Sequence, residues 1–96
     1  MTAYVIAEIE ITDPAGYEDY KKMAPASVAA YDGKFVVRGG ACAVLEGSPQ
    51  PQRLVVLEFP DLARARQWWE SAEYRAAKAQ RQRTAKTRMI LVEGIA

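Results

Sequence analysis

Histidine is absent from this chain of 96 residues, and cysteine occurs once, as Cys42. Without histidine the chain cannot use serine–histidine catalysis, a cysteine–histidine dyad, histidine-ligated zinc or a histidine-bound haem. A single cysteine cannot form an internal disulfide, and with no histidine to activate it we expect Cys42 to have a structural role or none. We predict no metal and no resident cofactor, so any chemistry would rely on carboxylates, arginine, lysine or tyrosine.

A strong charge of one sign and long apolar runs are also missing. Thirteen Lys and Arg against twelve Asp and Glu give a net charge of +1, which supplies no overall field to attract nucleic acid or an acidic membrane. No run approaches the roughly 18 apolar residues of a membrane span, and the residues after Met1 do not resemble a secretion signal. The basic run at 75–88 lacks interleaved aromatic residues and is interpreted as a solvated helix face. We therefore expect a cytoplasmic protein that binds neither nucleic acid nor membrane.

The chain does contain ample apolar material for one small domain, residues 1–96. A chain of this size buries only about 60 to 65% of the surface that its unfolded form exposes. Half of its residues are hydrophobic, which is more than one thin layer can hide. We therefore expect a homodimer, in which a second copy covers the excess apolar surface.

The most apolar stretch is 53–59, where aliphatic side chains occupy both faces of a predicted strand. This pattern is typical of a strand in the middle of a sheet that is covered on both sides. Glu58 interrupts it, because a carboxylate on a covered face needs a cation or hydrogen-bond donors nearby. The first strand, Ala3–Ile11, has one apolar face and a second face that begins with Tyr4 and turns acidic at Glu8.

A first helix is predicted to begin at Asp13-Pro14, because aspartate caps the free amides and proline suits the first helical position. Pro25 lies inside this helix and predicts a kink or a break. A strand over 34–38 is then expected to pass through a bulge at Gly39-Gly40 and to continue over 41–46. The turn that follows makes a hairpin with the central strand.

A second helix is predicted after Asp61, with Trp69 on its buried face and Trp68 at the flank of that face. Ser71 has the character of a new helix cap, so we expect the helix to change direction there and restart. A short last strand is predicted over 89–92.

The resulting order of strand, helix, strand, strand, helix and strand predicts an α+β fold of the ferredoxin-like βαββαβ type. Its four-stranded antiparallel sheet has the first and third strands in the middle and both helices on one face. The opposite face, which bears Tyr4, Ile6, Leu54 and Val56, is left without a cover, and we expect a second subunit to pack against it.

Several stretches together are distinctive: Ala3–Ala7, Asp13-Pro14 with Tyr17 and Tyr20, Gly33–Gly40, Pro51–Pro60, and Trp69 with Ser71–Tyr74. They resemble a family of small bacterial proteins of unknown function within the dimeric α/β-barrel superfamily. The resemblance implies a homodimer whose two sheets pack face to face into a barrel, often with a cavity in each half. Members of the wider superfamily include cofactor-free monooxygenases, muconolactone isomerases and haem-dependent enzymes. A histidine-ligated haem does not transfer to a chain without histidine.

Two functions remain open at this point. In the first, the protein binds or converts a small metabolite without a metal, in a cavity between sheet and helices or between subunits; as an enzyme it would be monooxygenase- or isomerase-like. The substrate-binding candidates are Tyr4, Glu8, Arg38 and Glu58. Arg38 would hold a substrate carboxylate or enolate, and Glu58, the candidate catalytic residue, would take or return a proton.

In the alternative, the protein is a non-enzymatic structural or stress-related dimeric interaction module, and the same charges form salt bridges. A structural pair of Arg38 and Glu58 would then fix the hairpin. Both interpretations require the two side chains to lie on one face of the sheet, and a bulge near Gly39-Gly40 would change the face to which Arg38 points.

Overall fold

A computed structural model describes all 96 residues of the chain. Its strands are β1 (Ala3–Ile11), β2 (Lys34–Arg38), β3 (Arg53–Phe59) and β4 (Ala85–Glu93), and its helices are α1 (Pro14–Ala30), α2 (Leu62–Glu70) and α3 (Ala72–Thr84). The strands form one antiparallel sheet in the order β2-β3-β1-β4. The predicted ferredoxin-like arrangement is confirmed, with β1 and β3 in the middle. No helix is long and apolar enough to cross a membrane.

The hydrophobic core lies between the sheet and the helices. Alternate residues of the two central strands point into it and are buried: Val5, Ala7, Ile9, Val55, Leu57 and Phe59. The helices contribute large side chains, among which Tyr17, Trp68 and Tyr74 are almost fully buried. Burial of one such side chain contributes about 1.5 to 3 kcal/mol, so this layer is the main source of stability.

The helical layer changes direction at Ser71, as the sequence predicts. The Ser71 hydroxyl accepts a hydrogen bond from the amide of Tyr74 at 3.1 Å and starts α3. The assignment of the two tryptophans was wrong, because Trp68 is 1% exposed and Trp69 is 37% exposed. The buried residues of α2 are Ala65 and Trp68, which are three apart and therefore share the face that packs on the sheet.

Helix α1 continues without a break through Pro25, so the predicted break is wrong. Proline has no N–H to donate to the carbonyl four residues earlier, which belongs to Lys21. That carbonyl accepts a hydrogen bond from Nη2 of Arg38 at 2.8 Å. A side chain from β2 therefore supplies the donor that the helix lacks.

Strand β2 ends at Arg38, and residues 39–52 form an irregular loop instead of the strand predicted over 41–46. Gly39 has a φ of +73° and donates its N–H to the carbonyl of Leu54 at 2.9 Å. This left-handed turn, which glycine adopts without steric cost, directs the chain away from the sheet. Cys42 lies in the loop and is half-buried.

Strand β4 is longer than the predicted 89–92, and it pairs with β1 along its whole length from Ala85 to Glu93. The basic run at 75–88 is therefore divided between α3 and β4, and it is not one helix face. The part of the run that lies in β4 faces acidic residues, because Lys86 and Arg88 are opposite Glu10 and Glu8 of β1. Opposite charges across a strand pair stabilise this register.

The second face of the sheet carries no helix. Its central positions are occupied by half-buried apolar side chains, namely Tyr4, Ile6, Leu54, Val56 and Ile90. We call this surface the open face. It has the apolar composition that the sequence predicts for a contact with a second subunit.

Candidate ligand-binding site

Two cavities lie on the helix side of the sheet. The inner cavity, between α1 and the sheet, has a volume of about 20 Å³, and the outer groove, between α2 and β4, has a volume of about 290 Å³. Val5 and Met89 line both, so the two spaces are adjacent and these side chains lie between them. Small-molecule sites usually have about 300 to 1,000 Å³, which the outer groove approaches. The inner cavity has room for about one water-sized group.

The outer groove is almost entirely apolar. Apart from the two shared residues, its walls are formed by Ala65, Arg66, Trp68, Trp69 and Leu91, and Arg66 is the one charged group among them. Trp69 offers part of its ring to solvent, and the ammonium of Lys78 lies 4.0 Å from the centre of that ring. This wall suits a flat, apolar molecule.

The inner cavity has an apolar wall and a polar end. The polar side chains that line it are Tyr17, Tyr20, Lys21, Arg38 and Arg53, so three of them are basic and none is acidic. Burial raises the pKa of Tyr17, although the nearby Arg53 guanidinium partly opposes this effect. The polar end is thus positively charged and lined with phenols that keep their protons at neutral pH.

Tyr20 belongs to a chain of hydrogen bonds that passes from the cavity into α3. Its hydroxyl lies 2.9 Å from that of Tyr74, and Nε of Arg81 donates to the Tyr74 hydroxyl at 3.3 Å. Burial, together with the neighbouring Tyr74, raises the pKa of Tyr20 far above its ordinary value. Arg81 is 4% exposed, and the position of its side chain behind the tyrosines is fixed by this bond.

Two buried guanidinium nitrogens in this region have no hydrogen-bond partner. They are Nε of Arg53 and Nη2 of Arg81, and neither arginine forms a salt bridge. Space for the Arg53 guanidinium is provided by Gly39, since a Cβ there would collide with it. Unpartnered buried polar atoms are rare in folded proteins, and a cation without a partner is the costliest kind.

Three of the four side chains predicted as site residues are on the open face, where Tyr4 and Glu58 are neighbours and Glu8 lies four residues farther along β1. Tyr4 is directly opposite Glu58, and Glu8 is paired at 3.9 Å with Arg88 on the neighbouring strand. Glu58 forms a salt bridge of 3.0 Å with Lys34 at the edge of the sheet. Their predicted role in binding a substrate stays a prediction.

Arg38, the fourth predicted residue, lies on the other face. The register between β2 and β3 shifts between Phe35 and Val37, and Arg38 is therefore opposite the buried Val55. The expected pairing of Arg38 with Glu58 is wrong, because this shift occurs before the arginine and directs its side chain toward α1. The shift lies earlier in the strand than the glycine pair from which a bulge was predicted.

The sequence analysis missed the polar character of the inner cavity. Arg81 belongs to the basic run at 75–88, which was interpreted as a solvated helix face, but it is buried. One signal was present, because Tyr74 and Arg81 are seven residues apart and thus share a helix face. An arginine on the same face as a buried tyrosine is a candidate for burial.

The model of a family described as "Domain of unknown function (DUF1330)" matches residues 2–95. No curated protein matches.

Solved structures with the same fold include three of interest. A protein of unknown function from Rhodopseudomonas palustris has a TM-score of 0.79 at 17% identity, over 99% of this chain and 83% of its own. A dimeric ferredoxin-like protein of unknown function from Jannaschia sp. CCS1 has a TM-score of 0.74 at 12% identity, over 98% and 100%. SnoaB, a cofactor-independent oxygenase from Streptomyces nogalater, has a TM-score of 0.67 at 13% identity, over 99% and 94%. At these identities the likeness shows the fold.

Proposed function

This chain belongs to the family described as domain of unknown function DUF1330, and we propose that it binds a small, largely apolar organic molecule between the sheet and the helices of each subunit of a homodimer. The observation that carries the proposal is that the outer groove and the inner cavity are adjacent, with Val5 and Met89 between them. The body of the ligand would occupy the groove, and one end would pass Met89 to reach the polar end. Methionine suits this position, because its flexible side chain adapts to a bound molecule.

The groove favours a flat ligand. Trp69 belongs to the groove wall and is 37% exposed, so part of its ring is available for offset stacking. Arg66 at the same opening provides one charge for orientation. A few polar groups on an otherwise apolar wall are typical of sites that select a small molecule.

The polar end favours binding with little side-chain catalysis. Burial raises the pKa of Tyr17 and of Tyr20, and the other polar groups are one lysine and two arginines. None of them is an ordinary general base at neutral pH. They would stabilise negative charge on a ligand oxygen, so a cofactor-free isomerase- or monooxygenase-like reaction would depend on the acidity of the ligand itself. The shared fold of the cofactor-independent oxygenase SnoaB supports this class of chemistry.

The homodimer is proposed through the open face. Its apolar centre has no cover within the subunit, and the structural neighbour from Jannaschia is described as dimeric, which supports the proposal. Two sheets packed face to face lie about 10 Å apart, enough for their side chains to interdigitate. Tyr4, Glu8 and Glu58 would then line the space between the sheets, where their predicted role as ligand-binding groups would apply.

One observation favours the alternative function, a dimeric interaction module, for these same residues. Glu58 already has a partner in Lys34, and Glu8 has one in Arg88. Carboxylates that are paired within the subunit can orient the interface without contacting a ligand. A role of these carboxylates in the dimer interface would be confined to the open face. The proposed ligand site, in the cavities on the helix side, would not be affected.

Methionine methyl groups provide a direct test of binding. The chain has three methionines, of which Met89 lies between the two cavities, while Met1 and Met23 are exposed elsewhere. In protein labelled with ¹³C at the methionine methyl groups, we expect small aromatic compounds such as indole and benzoate to shift the Met89 signal. Met1 and Met23 serve as internal controls. If no compound of the panel moves Met89 selectively at millimolar concentration, the proposal is wrong.

A further inference from the structure

We propose that the ligand carries an acidic oxygen, as a carboxylate or an enolate, which Tyr20 and Arg53 hold at the inner end of the site. The inference rests on the proposed function and adds the chemical class of the ligand. It comes from the direction of one hydrogen-bond chain and from a charge that the protein leaves unbalanced.

The hydrogen-bond chain has a single direction that satisfies all of its members. A guanidinium can only donate, so the hydroxyl oxygen of Tyr74 accepts from Arg81. Tyr74 is fully buried, and the Tyr20 hydroxyl is the acceptor within reach of its own proton. We therefore assign Tyr74 as the donor to Tyr20, which leaves the Tyr20 proton free to be donated elsewhere.

Tyr20, which carries this free proton, lines the inner cavity. A hydroxyl that accepts one hydrogen bond becomes a stronger donor, because successive bonds in a chain polarise one another. Tyr20 is thus set up to donate to an acceptor that enters the cavity. Arg81 and Tyr74 do not line this space, so we assign them as positioning residues that fix the direction of the bond.

The charge around this donor is not balanced by the protein. Three cations line the cavity, of which Lys21 pairs with Glu18 and Arg38 is exposed to solvent, so Arg53 is the one left without a partner. Nε of Arg53 is buried without a partner. An anionic oxygen in the cavity would supply both the missing acceptor and the missing charge.

The dimensions of the site divide the ligand into two parts. About 20 Å³ in the inner cavity suits an oxygen and little more, whereas about 290 Å³ in the groove suits an apolar body of several carbon atoms. A molecule with one acidic oxygen at the end of an aromatic or alicyclic ring fits this division.

The experiment compares two probes of the same shape, benzoate and its neutral isostere benzamide. Both are titrated at pH 7 while the methyl signal of Met89 is followed. We expect benzoate to bind the wild-type protein at least about tenfold more tightly, since hydrogen bonds to a charged group are roughly twice as strong as neutral ones. Equal affinities, or tighter binding of benzamide, would overturn the inference and leave the proposed function intact. If neither probe moves Met89, the proposed function itself fails.

Variants identify the residues that hold the oxygen. Tyr20→Phe should weaken benzoate binding about tenfold and benzamide binding by a smaller factor, while Tyr31→Phe, outside both cavities, is the matched control. Arg53→Gln should bring the ratio of the two affinities close to one, and Arg83→Gln, on the exposed side of α3, should not. An unchanged ratio in both Tyr20→Phe and Arg53→Gln would overturn the assignment. The wild-type comparison decides the ligand class even if a cavity variant does not fold.

The positioning role of Arg81 and Tyr74 is tested by the ratio of the affinities for benzoate and benzamide. Tyr74→Phe removes the donor that makes Tyr20 an acceptor, so the preference for benzoate should fall by a few-fold while the groove still binds benzamide. A purely structural role for Tyr74 would lower both affinities together.

Discussion

The guanidinium of Arg38 donates a hydrogen bond of 2.8 Å to the backbone carbonyl of Lys21, the carbonyl that Pro25 leaves without a partner in α1. The proline ring also pushes that carbonyl away from the helix axis, because it would otherwise clash with it. Strand β2 thus compensates for a defect in the helix that packs against it. The same guanidinium lies 4.6 Å from the centre of the Phe35 ring, which helps to hold it in place.

The first prediction concerns the coupling between Arg38 and Pro25. Arg38→Ala should lower the free energy of unfolding by about 1 kcal/mol, because the Lys21 carbonyl loses its donor. In the Pro25→Ala background the N–H of residue 25 pairs with that carbonyl, so the same substitution should cost less by at least about 0.5 kcal/mol. Urea denaturation of the four proteins measures both values. Equal costs in the two backgrounds would show that the carbonyl does not depend on the arginine.

The second prediction is a change in the pKa of Glu73. The hydroxyl of Tyr31 donates to Oε1 of Glu73 at 2.8 Å. The pKa of Glu73 is lowered, first by its own backbone N–H at the start of α3 and then by this hydroxyl. Tyr31→Phe should therefore raise the pKa of Glu73 but not return it fully to the ordinary value.

The sign of the pH dependence follows from the direction of this shift. A carboxyl whose pKa is lower in the folded state stabilises the fold above its unfolded pKa, and this contribution is lost as the pH falls through the folded pKa. Tyr31→Phe should thus reduce the loss of stability on acidification. Carboxyl ¹³C shifts recorded across acidic pH measure the pKa, with Tyr4→Phe as the control. An unchanged Glu73 pKa would contradict the role of the hydroxyl.

Much of the fold was predictable because burial alternates with a fixed period in strands and helices. The caps were equally accessible to sequence analysis, since their chemistry is local. Asp13 accepts from the amide of Gly16 at 3.2 Å, and Asp61 accepts from that of Arg64 at 2.7 Å. Each of these contacts joins residues three apart, so the residue types alone predict it.

The candidate site depended on contacts that the sequence does not specify locally. The face of Arg38 is decided by a one-residue shift between Phe35 and Val37, which reverses the direction of the arginine side chain. The bond between Tyr20 and Tyr74 joins residues 54 apart in the sequence. It exists because α1 and α3 pack side by side, and the alternation of apolar residues contains no information about that distance.

The third prediction tests the dimer. Val56→Asp places a charge at the centre of the open face, where burial without a partner is costly. We expect the wild-type protein to sediment as a dimer at micromolar concentration and the variant to sediment as a monomer. Ala76→Asp, on the exposed surface of α3, introduces the same charge away from the open face and should remain dimeric. A wild-type monomer would end the proposal.

The fourth prediction separates Glu58 from the ligand site on the helix side. Glu58→Gln removes the salt bridge with Lys34, whose side chain is 70% exposed. The Glu58 side chain is 26% exposed, but the ammonium of the pair stays in water, so the free energy of unfolding should change by no more than about 1 kcal/mol. The affinity for benzoate should stay the same, because Glu58 lies on the open face. A large loss of benzoate binding would show that Glu58 does belong to the ligand site, where it would again be the candidate catalytic residue.

The last prediction concerns the cost of keeping Arg81 buried. Its guanidinium is 4% exposed, lacks a carboxylate partner and leaves Nη2 without a hydrogen bond. Methionine has a similar length and no charge, and replacement of buried charged groups by apolar ones is often neutral or stabilising by about 1 to 4 kcal/mol. Arg81→Met should therefore raise the free energy of unfolding of the ligand-free protein by about 1 kcal/mol.

The same substitution should reduce the preference for benzoate over benzamide, because Tyr74 would lose the donor that fixes its direction. A gain in stability together with a loss of selectivity is the pattern of a residue kept for function at the expense of the fold. Arg83→Met, on the exposed side of the same helix, is the matched control and should change neither quantity. If Arg81→Met instead destabilised the protein by more than about 2 kcal/mol, the buried guanidinium would be a net stabilising group of the fold, and the idea that it is kept for selectivity at the expense of stability would be wrong.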